Sequence, residues 1–210
     1  MVQASVEVFA RARRLGSLAL FALVAVACQV PQPVEVNASF VAAPAFASRS
    51  PTNVAVLPVE DGTTDAAPQR HLQFLRQEVM RQLKDRLFTA LAPGYVDAAL
   101  NKVAKPAPTE SILVPATLQK LAGHAAEDAV FALRVDKWDE SHLPVDNKVW
   151  FQFQAVMLGS DGVQLWSGTI AGVVKAGGAG ASPRDRDGKA RSCAELAVRE
   201  MMERLPRCPH

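Results

Sequence analysis

KVWFQFQAVML, residues 148–158, decides the fold. Val149, Phe151, Phe153, Ala155 and Met157 are apolar at every second position, and Gln152 and Gln154 stand between them. A period of two puts the apolar set on one face of a strand and the amides on the other. That is the pattern of an antiparallel strand with one face on a core and one wetter face. GSDG, residues 159–162, carries hairpin-turn chemistry, so residues 163–174 are expected to return as the next strand. Upstream, residues 129–138 alternate more weakly and are expected to supply a third.

The N-terminal side of this block reads differently. NVAVLPV, residues 53–59, is a short apolar run rich in β-branched residues, the mark of a buried central strand. Pro58 fits only near the end of such a strand. Residues 60–65 form a turn, and residues 68–91 form a long helix. Leu72, Leu75, Val79, Leu83, Leu87 and Leu91 recur every three or four positions as its apolar stripe, and Arg70, Gln73, Arg76, Gln77, Arg81, Lys84 and Asp85 line the other face. Pro93-Gly94 is expected to end the helix, Tyr95-Val96 to give a short strand and Asp97 to cap a small helix. Residues 115–124 are helical, anchored by Leu118 and Leu121. Ser192 and Glu195 form a capping box that opens a last helix, whose core stripe is Cys193, Leu196, Ala197, Met201 and Leu205. The expected fold is α/β, a mixed five-strand sheet in the order β-α-β-α-α-β-β-β-α with helices packed on it. The first βαβ unit is parallel through a right-handed crossover and the last three strands are antiparallel.

RARRLGSLALFALVAVACQ, residues 11–29, stands apart. Thirteen uncharged residues, 15–27, follow Arg11, Arg13 and Arg14. A helix of that length falls short of the roughly 20 residues a bilayer requires. It fits the apolar stretch of an export signal behind its basic leader. Ala27 before Cys28 resembles the lipobox of bacterial lipoproteins, whose cysteine receives a diacylglycerol and becomes the new N-terminus. That resemblance implies lipidation at Cys28. With Gln29 following, it also implies retention on the periplasmic face of the outer membrane. Plain secretion and an uncleaved anchor are the alternatives. Residues 28–52, rich in Ala, Pro, Ser and Val, read as a tether about 25–30 Å long on a flexible-coil estimate. The chain then divides into a signal peptide at 1–27, a lipid-anchored tether at 28–52 and a single periplasmic domain at 53–210.

Composition supports export more than any one chemistry. The 210-residue chain has 23 basic and 21 acidic residues. Loss of the first 27 residues removes Arg11, Arg13, Arg14 and Glu7 and leaves 20 of each. Nucleic-acid binding requires a basic face, and a formally neutral domain has no surplus for one. Apart from Cys28, two cysteines remain, Cys193 and Cys208, an even number for an oxidising compartment. A disulfide between them requires the last helix to end by about residue 204, because bridged Cα atoms lie within roughly 7 Å. Pro206 favours that end. The other outcome is two thiols, one in the helix and one in the tail.

Two blocks carry a family resemblance. VAVLPV, residues 54–59, followed by Glu60-Asp61 and a long helix, is similar to the opening of several periplasmic modules. These are the N-terminal domain of TolB, the curli secretion lipoprotein and the penicillin-binding-protein activator lipoproteins. AEDAVFALRVDKW, residues 126–138, then GSDGVQLWSG, residues 159–168, resembles the GNA-type lipoproteins of unknown function. The resemblance covers residues 53–172. It implies a lipid-anchored periplasmic binding or assembly module and no catalytic residue.

Residues in a pattern that points to chemistry are few. His71, His124, His142 and His210 show no metal-ligand spacing, and no cofactor motif occurs, so neither metal nor cofactor is expected. The glycines of residues 176–181 lack the G-K-[ST] of a phosphate loop. Asp136, Asp139 and Glu140 surround Trp138, and Asp136 and Glu140 could share a face, as a glycan hydrolase requires of its carboxylates. The plainer reading is a solvated strand end. Trp138, Trp150 and Trp166 fall on three neighbouring strands and are the candidate partner-binding residues, because tryptophan anchors interfaces; otherwise they pack the core. The expected function is a non-enzymatic module that docks a protein partner in envelope biogenesis or transport. The outer-membrane lipid is its second contact, and unpaired sheet edges also invite a second copy. The alternative is an envelope hydrolase acting on glycan through the acids near Trp138.

Overall fold

The structure is a computed structural model, and it describes residues 33–64, 69–103, 111–177 and 185–208. The export segment, Cys28 and His210 lie outside the described residues. Among the described residues, seven strands and six helices follow in the order β1(Pro33–Ala42), α1(Pro44–Arg49), β2(Asn53–Val56), β3(Glu60–Asp61), α2(Gln69–Asp85), β4(Thr89–Ala90), α3(Pro93–Leu100), α4(Pro115–Leu121), β5(Ala129–Asp139), α5(Leu143–Asp146), β6(Lys148–Gly159), β7(Gln164–Lys175) and α6(Arg186–Met202). The sheet order is β1-β7-β6-β5-β2-β4, with β3 paired to β5. It is the mixed α/β sheet expected, with seven strands instead of five.

The antiparallel half follows from the alternation of β6. Phe153 lies opposite Ile170 and Val135, and the whole odd-numbered set of β6 from Val149 to Met157 is at most 2% exposed. α2 and α6 cover this face with Leu72, Leu75, Val79, Leu83, Cys193, Leu196, Ala197 and Met201. β2 joins β5 and β4 in parallel, as a right-handed βαβ unit requires. On the other face, α3 and α4 bury Val96, Leu118 and Leu121 against Ala55, Leu57, Val130 and Ala132. Fully burying a leucine contributes about 1.5–3 kcal/mol, so these two layers supply most of the driving force.

Three expectations are corrected. Residues 33–49 are part of the domain and not a tether. β1 pairs antiparallel with β7 over its whole length, and Phe46 of α1 is buried edge-on to Phe88. The segment showed no stripe because β1 is a sheet edge, with only Val36 and Phe40 turned partly inward. Second, α2 ends at Asp85, and Leu87 is left 46% exposed at φ 71°. The chain breaks there so that Phe88 can enter the core and residues 89–90 can pair with β2. The short strand is therefore at 89–90 and not 95–96, and Tyr95 and Val96 lie in α3. Third, α6 begins at Arg186, not at Ser192. The Asp185 carboxylate accepts from the Gly188 amide at 2.7 Å, a cap that lets Ala190 reach the core one turn earlier.

Candidate docking cleft

β2 leaves the sheet at Leu57 and Pro58, between α3 and α4. In open α/β sheets, ligands favour the carboxyl ends of parallel strands. A cleft of about 290 Å³ opens there, lined by Leu57, Pro58, Asp97, Leu100, Asn101, Ile112 and Leu121. Five of the seven are apolar. The volume fits one or two large side chains more readily than an extended substrate.

The walls are fixed by two polar clamps. From α2, Arg76 donates through Nε and an η nitrogen to the carbonyl of Val56, at 3.0 and 2.7 Å, and forms a fork on the Asp97 carboxylate at 3.0 and 2.8 Å. One guanidinium therefore closes the last carbonyl of β2 and holds α3. The opposite wall hangs on Glu60, which accepts from the Ser111 hydroxyl and the Ile112 amide, both at 2.9 Å. Arg134 bridges Glu60 at 3.3 Å and Asp136 at 2.8 Å. These charge-assisted bonds are the strong kind. Asp97 is the one carboxylate among the lining residues, and Arg76 occupies it.

The acids around Trp138 do not converge. A bulge in β5 between Val135 and Lys137 changes the alternation. Asp136 turns with Arg134 toward the α3/α4 face. Glu140 joins the α2/α6 face, where it accepts from Trp138 Nε1 at 2.8 Å and meets His71 Nδ1 at 3.2 Å and Arg186 at 3.1 Å. Asp139 caps the Ser141 amide at 2.9 Å, and that bond holds its carboxyl below the usual range. The expectation that Asp136 and Glu140 share a face is therefore corrected. Among the described residues, no cluster of His, Cys, Asp and Glu could hold a metal ion.

The tryptophans do not form one surface either. Trp166 is 0% exposed, stacked between Phe40 and Phe131, and its Nε1 reaches the carbonyl of Arg204 at 3.3 Å. It belongs to the core and not to a binding face. Trp138 lies half-buried, parallel to Phe153. Trp150 points to the opposite face and contacts His142 with ring centroids 4.3 Å apart.

The residues that carried the family resemblance prove structural. Asp128 accepts the amides of Thr52 and Asn53 at 3.0 and 2.7 Å and pins the start of β2 to β5. Glu127 accepts the Ala125 amide at 2.7 Å. In LWSG, Leu165 and Trp166 are core, and Gly168 admits the ring of Phe40.

No disulfide joins Cys193 and Cys208. α6 does end early enough, but the thiols sit at opposite ends of the sheet. Cys193 Sγ lies 3.8 Å from the carbonyl of Val174, at the close of β7, and Cys208 Sγ lies 3.4 Å from that of Pro51, which leads into β2. Burial pushes the Cys193 thiol up to about 12, and the Glu140 carboxylate adds to the shift. Native protein at pH 8 should therefore resist a thiol reagent at Cys193 and react there only after unfolding; rapid native labelling would refute the burial. Unfolded, the thiol ionises from about pH 8.5. Folded, it keeps its proton to about 12, so its contribution falls as pH rises between the two.

No family profile matches the chain, and no curated protein matches its sequence. Among solved structures, the PelC dodecamer from Paraburkholderia phytofirmans is similar at 14% identity and TM-score 0.44, covering 79% of this chain and 96% of its own. Lipoprotein GNA1162 from Neisseria meningitidis is similar at 17% identity and TM-score 0.44, covering 74% and 99%. The LpoB C-terminal domain from Salmonella enterica is similar at 15% identity and TM-score 0.39, covering 59% and 82%. The second of these is a lipoprotein of the GNA type that residues 126–138 and 159–168 resemble.

Proposed function

We propose that this chain is a lipid-anchored periplasmic module that docks a protein partner in envelope biogenesis or transport, without catalysis of its own. The observation that carries the docking is the cleft at the end of β2, with its apolar floor and charges already paired. A partner inserts an apolar side chain between Leu100, Ile112 and Leu121, as interface anchors do. The envelope location rests on the basic, apolar and cysteine pattern of residues 11–28, and the outer membrane on Gln29.

A photo-crosslinking residue at Asn101 in the native envelope should capture one protein, identified by mass spectrometry. Leu100→Arg or Ile112→Arg should cut that capture about 10–100-fold, the equivalent of losing one buried apolar anchor worth roughly 1.5–3 kcal/mol. Capture that persists unchanged in both variants would remove the cleft from the interface. Turnover of glycan by the purified domain would replace docking with hydrolysis.

A further inference from the structure

The corrected start of the domain shortens the link between Cys28 and the sheet. Only residues 29–32 separate Cys28 from Pro33, the first residue of β1. From Cys28 to Pro33 even a fully extended chain reaches only about 17 Å. The end of the sheet where β1 begins is therefore held close to whatever Cys28 is fixed in.

That end carries an unusual surface. Pro33 pairs with Val174 and Lys148 with Lys175, so β1 starts beside the end of β7 and the start of β6. Asp139, the last residue of β5, pairs with Trp150 at the same level. α5 crosses this end between β5 and β6. Leu143 is buried at 0% and roots the turn, which lifts Val145 to 81% exposure, the most exposed large apolar residue described. Pro144 beside it is also exposed. Trp150 lies half-buried beneath His142, two residues along β6 from Lys148. The charges here offset one another: Lys137, Lys148 and Lys175 stand against Glu35, Asp139 and Asp146. The surface thus offers apolar and aromatic contact without strong attraction to either sign of charge. Tryptophan with flanking lysine is the composition favoured at lipid headgroups.

We propose that this end of the sheet, led by Pro144, Val145 and Trp150, rests on the lipid surface when Cys28 is acylated. The inference rests on the lipid-anchor reading. It also sets the height of the docking cleft. Leu57 bonds to Phe131, eight residues short of Asp139, so the cleft stands about 26 Å along the sheet from the lipid.

The test uses the full lipidated chain in vesicles of phosphatidylethanolamine and phosphatidylglycerol at 3:1. Val145→Cys and, separately, Ser160→Cys are labelled with the environment-sensitive dye NBD. Cys193 and Cys208 are buried, so each label goes to the introduced thiol. Ser160 lies in the hairpin beyond β6, about 35–40 Å from Lys148, and serves as the far end. The dye at position 145 should shift to the blue and brighten several-fold on vesicles, and the dye at 160 should not. A chain that floats with vesicles while position 145 keeps its aqueous emission overturns the proposal and leaves the anchor intact. A shift at 160 in place of 145 overturns it too. A chain that does not float and shows no lipid mass on Cys28 takes down the anchor reading and this orientation together.

Discussion

Replacing Trp166 by alanine lowers the stability of the domain by about 3–5 kcal/mol, the range for deleting a buried aromatic ring. The indole stacks on Phe40 at 5.2 Å and on Phe131 at 6.0 Å. It therefore joins three strands, β1, β7 and β5, and its N–H satisfies the carbonyl of Arg204 just past the end of α6. No neighbour can collapse into such a void, because the rings around it are held by their own strands. For a domain of this size the loss is roughly 6–20 °C in Tm. Trp166→Phe keeps a ring in the stack and strands the carbonyl, so it should cost less, about 1–3 kcal/mol. Thermal and urea unfolding of the two variants are the check. A change below about 1 kcal/mol in the alanine variant would return Trp166 to the surface as a partner-binding residue.

Gly172→Val should detach β1. A Cβ at Gly172 would lie 2.2 Å from the carbonyl oxygen of Glu35 and 3.0 Å from the Cα of Val36. Both are backbone atoms of β1, so no side chain can swing aside, and the strand itself must move. Overpacking of this kind costs about 1–3 kcal/mol. The amides of β1 that pair with β7 should exchange up to about 100-fold faster, since 1.4 kcal/mol is a factor of ten. The sign separates the two readings of residues 33–42. Were that stretch a loose tether, valine would replace a weak strand former on an open edge and stabilise the sheet, within the roughly 1 kcal/mol span of β propensity. Destabilisation with rapid exchange confined to residues 33–42 supports the strand.

The elements legible in advance were those whose burial follows a regular period. β6 alternates because its odd residues meet two helices, while Gln152 and Gln154 on the other face reach water and Val156 and Leu158 there meet the second core cluster. The stripe of α2 from Leu72 to Leu83 and that of α6 from Cys193 to Leu205 are equally regular, and all of those residues are buried. β1 was not legible, since an edge strand buries little and its pairing is written in the backbone. Its one trace was on its partner: glycines 168 and 172 in β7, four residues apart on the face that β1 crosses. The cleft was half legible. Leu121 stood out as an anchor, but Leu100 and Ile112 come from segments with no period, and Arg76 looked like an ordinary polar residue of a helix face.

The sequence by itself determined the α/β class, the parallel and antiparallel halves, most of the buried faces and the charge balance, because each depends on local period or composition. Only the tertiary structure decided the rest: that residues 33–42 close the sheet, that Trp166 is core while Trp150 faces the other way, and that the two thiols lie at opposite poles. Arg76 joins β2 to α3 and Glu60 joins β3 to Ile112 across gaps of 21 and 52 residues. Contacts between residues so far apart in the chain leave no mark on the pattern of either segment, so they become visible only when the chain has folded.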